Sequence, residues 1–473
     1  MEIETIGLVV LGLSFLGWSF GPSLSIPVFF ASTLLGSAAA IILTGLGGAT
    51  VQPAYVLLGF LVAAAFANRD LAGAAAYAVS FPRAGFWLLL TGAYAVASAA
   101  IFPRLFAGST YVFAIARTEI GPGIISMPLA PTSGNITQAI YFLGDIACFL
   151  TFYAYACRPA GLKTIVYAAI AAAALDLAFA VIDLAGDWTG AGDLLGFLRN
   201  GSYRMLYDAR ILGLKRIVGS FPEASTFAYF TIGFFAFCTK LWLGGIKPTL
   251  TGPLAVLLLI ALALATSSTG YVGTAGFLAA LFVTGLGSIL AGPVTARTVM
   301  SVTIAPLLLA AFVIGARLDD RAWQTLSSMV EETILDKMAS QSGVERAKWN
   351  EQALVNYSDT HWMGAGVGSV RASSFPLAVL GNIGAIGAVT YGSFLVAVLF
   401  RRKNRWAEPF PATCQSGARW ACLTQLIGAS VAGSFIDLGL PFFVFAGLAC
   451  AAPNPASLPR TVRADQSLAA ARV

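Results

Sequence analysis

Histidine is nearly missing from this sequence: His361 is the only one in 473 residues. Cysteine is scarce too. Cys148, Cys157, Cys238, Cys414, Cys422 and Cys450 fall inside apolar runs or on the side assigned below to the cytoplasm, never in the long polar stretches. That distribution offers no disulfide framework and no Cys/His metal spacing, so no zinc site is expected. Charge is thin, at 11% of residues against 58% hydrophobic, and the mean hydropathy is +0.80. Soluble domains do not have this composition. No signal peptide separates from the rest, because the first apolar run leads straight into a second. No repeat or inverted symmetry relates the two halves, which weakens the common transporter designs. The net charge of +6 is spread over short loops as topology signals are, and does not suggest nucleic acid.

What the chain has in plenty is apolar runs of about 20 residues, each long enough to cross a hydrocarbon core as a helix. They fall near 5–22, 25–45, 50–67, 84–102, 136–157, 163–185, 224–244, 253–268, 270–291, 298–316 and 373–400, with a pair within 417–451. The fold expected is an all-α polytopic integral membrane protein with about 12 to 13 crossings over residues 1–451. The stretch 70–82 is a candidate for one further element. Residues 452–473, with Arg460, Arg463 and Arg472, read as a disordered cytoplasmic tail.

Arg401-Arg-Lys-Asn-Arg405 is the densest basic cluster between spans and is assigned to the cytoplasm. Counting back, Lys240 and Lys247, Arg158 and Lys163, and Arg83 share that side. The polar stretches 103–135, 187–223 and 317–372 then face the other side, as does Met1. Residues 317–372 form the one long loop. Two short helices are expected in it, each opened by a capping box, Ser328-Met-Val-Glu331 and Ser342-Gly-Val-Glu345. The first carries an apolar stripe of Leu326, Met329, Val330, Ile334 and Met338. Such a helix either lies in the membrane interface or packs on the bundle. The second carries Arg346 and Trp349 one turn apart.

Four outward segments concentrate polar residues: Met127–Gln138, Arg216–Ser225, Thr266–Gly273, and Arg346–Trp349 together with His361 and Gly364–Ser374. Their ordered motifs are Arg-x-x-Gly-Ser-Phe-x-Glu-x-Ser from Arg216, Ser-Ser-Thr-Gly-Tyr from Ser267, and Arg-x-x-Trp from Arg346. Gly-x-Gly-x-Gly-Ser-x-Arg-x-Ser-Ser follows from Gly364, and then Asn382-Ile-Gly384. This set, over residues 105 to 400, resembles the O-antigen ligase and polysaccharide polymerase superfamily, closest to the Wzy-type exopolysaccharide polymerases. The resemblance implies a metal-independent glycosyltransferase in a multi-pass bundle of the bacterial inner membrane with one long periplasmic loop. Its substrate would be an undecaprenyl-pyrophosphate-linked oligosaccharide, with a chain-length regulator and a flippase as partners in the same pathway. An O-antigen ligase using a lipid acceptor is the alternative of the same chemistry.

A departing pyrophosphate gains charge, so fixed cations must meet it, and arginine suits because its planar fork pairs with two phosphate oxygens. Arg216, Arg346 and Arg371 are the first candidates and Arg210 a further one, with Trp349 and Ser373 beside them on the substrate. Interfacial anchoring or pairing with loop carboxylates would explain the same arginines. For the base that activates the acceptor hydroxyl, Glu223 is the candidate, although it could equally cap the helix that follows. His361 is the other candidate base, or a structural residue. Ligases of the family place a histidine near the start of the next span, where this chain has Ser373 and Ser374. The glycine run 364–368 is not a nucleotide cradle, since no strand precedes it; it lets backbone approach closely. Asp145 and Asp176 are expected to face the bundle interior and Asp183 the interface. They support a second class of reading, a transporter or flippase for lipid-linked sugar.

Overall fold

The computed structural model describes residues 2–46, 48–118, 121–201, 205–211, 213–292, 294–303, 306, 341–400 and 408–452. In chain order, β1 (Glu2–Ile3), α1 (Thr5–Phe20), α2 (Pro22–Thr33), β2 (Ile41–Leu43) and β3 (Ala49–Val51) lead into α3 (Pro53–Ala67) and α4 (Arg69–Ala78). Next come α5 (Ala84–Leu105), the hairpin β4 (Tyr111–Thr118) and β5 (Gly121–Pro128), α6 (Ser133–Ala156) and α7 (Pro159–Trp188). A short hairpin, β6 (Arg210–Ile211) and β7 (Leu214–Lys215), precedes α8 (Ala224–Leu243), α9 (Pro248–Leu264) and α10 (Ser268–Ala291). The chain continues through α11 (Gln341–Asp359), α12 (Phe375–Leu399), α13 (Pro409–Ala432) and α14 (Leu440–Cys450).

Proline stands at the first or second position of α2, α3, α7, α9, α12, α13 and α14, where its missing N–H costs nothing. Six helices, α5, α6, α7, α8, α10 and α12, are long and apolar enough to span a membrane, and a seventh if the bent pair α3 and α4 is one span. This is a mostly helical chain with the makings of a multi-pass membrane protein. Three shorter apolar helices, α1, α9 and α14, accompany them. Strands occur only as small antiparallel hairpins and one three-stranded patch among the described residues.

One expectation needs correction and another is met. Residues 25–45 are not one helix: α2 stops at Thr33. Ser32 and Thr33 turn their hydroxyls back onto the carbonyls of Phe29 and Phe30 at 2.6 and 2.7 Å, a competition that helps end helices. Beyond them Gly36 lies where a Cβ would meet the Phe221 ring at 2.6 Å, and the Ser37 amide donates to the Ser220 carbonyl at 3.1 Å. The stretch 70–82 does hold an element. It is α4, turned 103° from α3 and capped by Asn68, whose side chain accepts from the Asp70 and Leu71 amides at 3.1 and 3.3 Å. The eight-residue strands of the 103–135 stretch were not anticipated. The expected span 298–316 is described only in part, helical at 296–303. The Arg317–Arg321 segment, the helix over 326–338, the Arg401–Arg405 cluster and the tail beyond 452 lie outside the described residues.

Helix ends sort into two groups. At one end Gly244 packs on Thr413, and the Cys157 thiol donates to the Ala452 carbonyl at 2.9 Å. At the other, Ser37 meets Ser220, the Asn135 side chain donates to the Val367 carbonyl at 2.7 Å, and Gly433 packs on Phe375. The second end gathers the polar loops.

The glycine run is fixed there by a broken helix. Helix α12 departs from helical geometry at Gly384, with φ 58°. The groups freed by that break bind the run. Ala385 N–H donates to the Trp362 carbonyl at 2.8 Å, while Ala365 and Gly366 N–H donate to the Gly381 and Asn382 carbonyls at 2.8 and 3.0 Å. Gly366 has φ +94°, and a Cβ on it would sit 2.7 Å from the Ser98 carbonyl oxygen. Gly366→Ala therefore carries about 1–3 kcal/mol of backbone strain in addition to the clash. A clearly lower melting temperature in detergent is the expected outcome, whereas Gly12→Ala, which meets open space, should melt like the parent.

Candidate active site

The segment 214–223 enters α8 from a fixed position because Asp183, near the end of α7, clamps it. One Asp183 oxygen accepts from Lys215 Nζ at 2.8 Å and from Arg199 at 3.5 Å. The other accepts the backbone amides of Val218 and Gly219 at 3.0 and 3.1 Å. Arg199 also pairs with Asp193 and donates to the Gly219 carbonyl at 2.8 Å. These side chains are nearly solvent-free, at 1% exposure for Asp183, 3% for Arg199 and 7% for Lys215. A carboxylate so buried is kept by its four donors. Asp183 is thus interior, and its task is to hold the backbone on either side of Arg216 and Ile217.

Arg216 points from this loop to the turn between α9 and α10. Its Nε donates to Thr266 Oγ1 at 3.2 Å and its Nη2 to the Thr266 carbonyl at 3.0 Å. Thr266 is 3% exposed and adopts φ 44°, a left-handed conformation that β-branched residues avoid. Strain of this kind persists where the surroundings over-determine it, and it gathers at working sites. Next to it, Ser267 Oγ and Thr269 Oγ1 are buried with no hydrogen-bond partner among the described residues.

Arg371 comes from the segment between the glycine run and α12. Its guanidinium lies 4.9 Å from the Trp349 ring centre and 5.8 Å from that of Phe435, which belongs to the 433–439 loop between α13 and α14. Its Nε is buried without a partner among the described residues. Trp349 and Arg346 ride one turn apart on α11, as the sequence spacing required. The Ser373 amide donates to Asn350 on the same helix at 2.8 Å, so Ser373, 6% exposed, ties the two segments together through its backbone.

Glu223 stands at the N-cap position of α8, yet its side chain makes no capping bond. Its backbone carbonyl accepts the Thr226 and Phe227 amides at 3.1 Å each, and its carboxylate accepts from the Ser225 hydroxyl. The carboxylate also reaches Arg216 and Arg371 electrostatically. Burial pushes both guanidinium groups down from the ordinary arginine value, the Glu223 charge pulls them back up, and the Arg346 charge pushes them down again. Arg216, Arg346, Arg371 and Glu223 thus share one field. Among the described residues none of the three arginines forms an ion pair within 4.0 Å.

The other expected residues lie apart. Arg210 sits in the β6–β7 hairpin, paired with Asp187 and, at 3.7 Å, with Asp208. His361 is exposed, with φ 53°, and its ring contact is Phe106 at the end of α5, 6.3 Å away. Sequence reasoning missed Asp183 as the clamp, Arg199 and Lys215 as its partners, and Phe435 under Arg371. For Phe435 no signal separates it from the other apolar residues. For Asp183 the signal was its place at the end of a span facing a Lys/Arg-bearing loop.

Three guanidinium groups and one carboxylate within one another's field have the chemistry to bind a dianionic group and accept a proton beside it. Asp183→Asn leaves the buried Lys215 without a counter-charge and Arg199 with Asp193 alone, and should destabilise the protein by about 3–5 kcal/mol. Asp187→Asn, which loses a pair with the exposed Arg210, should cost within about 1 kcal/mol. Melting of both variants in detergent checks the contrast.

No protein-family model and no curated protein matches this chain.

Proposed function

We propose that this chain is a polysaccharide polymerase of the bacterial inner membrane, transferring an undecaprenyl-pyrophosphate-linked glycan to a growing chain at the periplasmic face. The single observation that carries this reading is the convergence of Arg216, Arg346 and Arg371 from three elements into one field, with no carboxylate among the described residues paired to any of them. Partly buried cations that repel one another cost several kcal/mol unless an anion joins them. A diphosphate supplies that anion and spans two forks. The expected topology of about 12 to 13 crossings puts this end of the bundle outside, beside the long loop of residues 317–372, and the grouping of helix ends agrees with that alternation.

The transfer is written on these residues as follows. The acceptor hydroxyl oxygen attacks the anomeric carbon of the donor glycan. The bond from that carbon to the pyrophosphate oxygen breaks, and its electron pair leaves with the pyrophosphate. Glu223 takes the hydroxyl proton; its Oε1 is steadied by Ser225. Arg216, preset by Thr266, and Arg371, preset by Trp349 and Phe435, receive the growing charge without having to reorganise. Trp349 offers a ring edge to the sugar. A ligase that uses a lipid acceptor would share every one of these steps.

Transport is the second reading, and one observation favours it: Asp145 and Asp176 are fully buried inside helices, where ionisable groups are costly and by default functional. The two readings separate in cells. A polymerase with Arg216→Ala stops chain growth while single repeat units still reach the periplasm. A transporter traps the donor inside and suffers more from Asp176→Asn than from Arg371→Ala.

The direct test is extension of purified lipid-linked repeat units with metal chelated. The parent should stay active, and Arg216→Ala and Glu223→Gln should each lower kcat by about 10²-fold or more. Activity that disappears on chelation, or that survives Arg216→Ala, overturns the proposal.

A further inference from the structure

Behind the arginine group lies a pair of carboxyls that the proposed transfer does not use. Asp145 on α6 is 0% exposed, and among the described residues neither of its oxygens has a hydrogen-bond donor. Its neighbour is the carboxyl of Asp437, in the loop between α13 and α14. Two carboxylates are acceptors only and cannot satisfy each other; a carboxyl and a carboxylate can. The other titratable groups facing the pair are Tyr55 on α3, Cys148 on α6, Tyr229 on α8 and Tyr391 on α12, with Tyr141 behind Tyr55 and Cys422 behind Tyr229. No arginine, lysine or histidine among the described residues acts on either carboxyl.

The loop that carries Asp437 is tightly fixed. Tyr391 donates to the Ile436 carbonyl at 3.1 Å and Tyr229 to the Leu438 carbonyl at 2.8 Å. Asp437 Oδ1 accepts the Gly439 amide at 2.5 Å. Two residues before Asp437 stands Phe435, whose ring lies against the Arg371 guanidinium.

We propose that Asp145 and Asp437 share one proton, and that the bond this proton makes holds the 433–439 loop so that Phe435 keeps Arg371 in place. Asp145 and Asp437 are then positioning residues acting through Phe435, and the pair is a pH-sensitive latch. With the proton present the loop is drawn to α6. When it leaves, two buried negative charges face each other, the loop moves off, and Arg371 loses one of its two aromatic supports. Asp437 is half-buried as a residue, so it is the member of the pair nearer the surface. The proposal rests on the reading of Arg371 as a diphosphate ligand only for its consequence in catalysis; the latch itself does not.

The sign of the pH dependence follows from the shared proton. Unfolded, both carboxyls ionise above about pH 4, so the folded protein holds one proton more. Its stability then falls as pH rises from there until the pair gives up that proton, by about tenfold in the folding equilibrium per pH unit while the extra proton is held. Asparagine in place of either aspartate carries a permanent donor, satisfies the remaining carboxylate and removes this dependence.

Two measurements on the full chain in detergent test the latch without using transfer activity. The first is the melting temperature against pH for the parent, Asp145→Asn and Asp437→Asn, two variants so that failure of one to fold leaves the other. The second is modification by phenylglyoxal, read by mass spectrometry as the ratio of Arg371 to the exposed Arg104. The expected result is a parent that loses stability and gains several-fold Arg371 reactivity at alkaline pH, and Asn variants that do neither. Identical profiles in the parent and the folded variants overturn the proposal. So does a parent stabilised at fixed pH by sodium over choline, since a metal cation would then fill the place of the proton. If extension assays fail while these profiles hold, the polymerase reading falls and the latch stands.

Discussion

The described cations at the end of the bundle that gathers the polar loops fall into two kinds. Arg199, Arg210 and Lys215 are each matched with an aspartate. Arg216 and Arg371 are held by neutral groups instead: a threonine hydroxyl and carbonyl for one, two aromatic rings for the other. An aspartate neutralises the cation it positions. A carbonyl or a ring positions it and leaves its charge for something else, because ring and carbonyl dipoles attract a guanidinium without cancelling it. Glu223 comes near enough to temper the field, but its hydrogen bond is with Ser225 rather than with an arginine.

Each neutral support is itself held in place. Thr266 is locked into a left-handed turn. The backbone around Arg216 hangs on Asp183, whose four donors come from two basic side chains and two amides. The approach to Arg371 is built from the glycine run. Asn382 accepts the Val370 amide at 3.2 Å and donates to the Val370 carbonyl at 2.8 Å, while Asn135 donates to Val367 and to Ser369 Oγ. A site that must stabilise developing charge gains from such rigidity, since its dipoles then point the right way before the reaction begins.

Much of this was legible in the residues. Arg216, Glu223, Arg346, Trp349 and Arg371 stand out because charge and tryptophan in short glycine-rich motifs need a reason in so apolar a chain. That their segments belong to one end followed from the alternation of Lys and Arg between spans. Other features were not legible, each for a physical cause. An aspartate at the end of an apolar run, such as Asp183, reads equally as a surface group or a clamp until its loop is seen folded over it. A phenylalanine like Phe435 has no mark that separates a support for a guanidinium from ordinary packing. The apolar run 25–45 reads as one helix because hydropathy does not register two hydroxyls turning back on their own carbonyls. His361 attracts notice by rarity alone, and rarity does not place it beside the arginines.

Asn135 reaches Val367 across more than two hundred positions of chain, and Phe435 reaches Arg371 from further on still. During synthesis, the early helices must therefore enter the membrane with the mouth of α6 unfilled. The Arg216 loop and its Thr266 partner come next, as a half-built cradle. Only when α12 and the turn before α14 have emerged can the last supports click into register. A chain interrupted just before that turn would retain most of its hydrophobic mass and still lack the Phe435 support of Arg371. The final tenth of the sequence thus completes what the bulk of it only prepares.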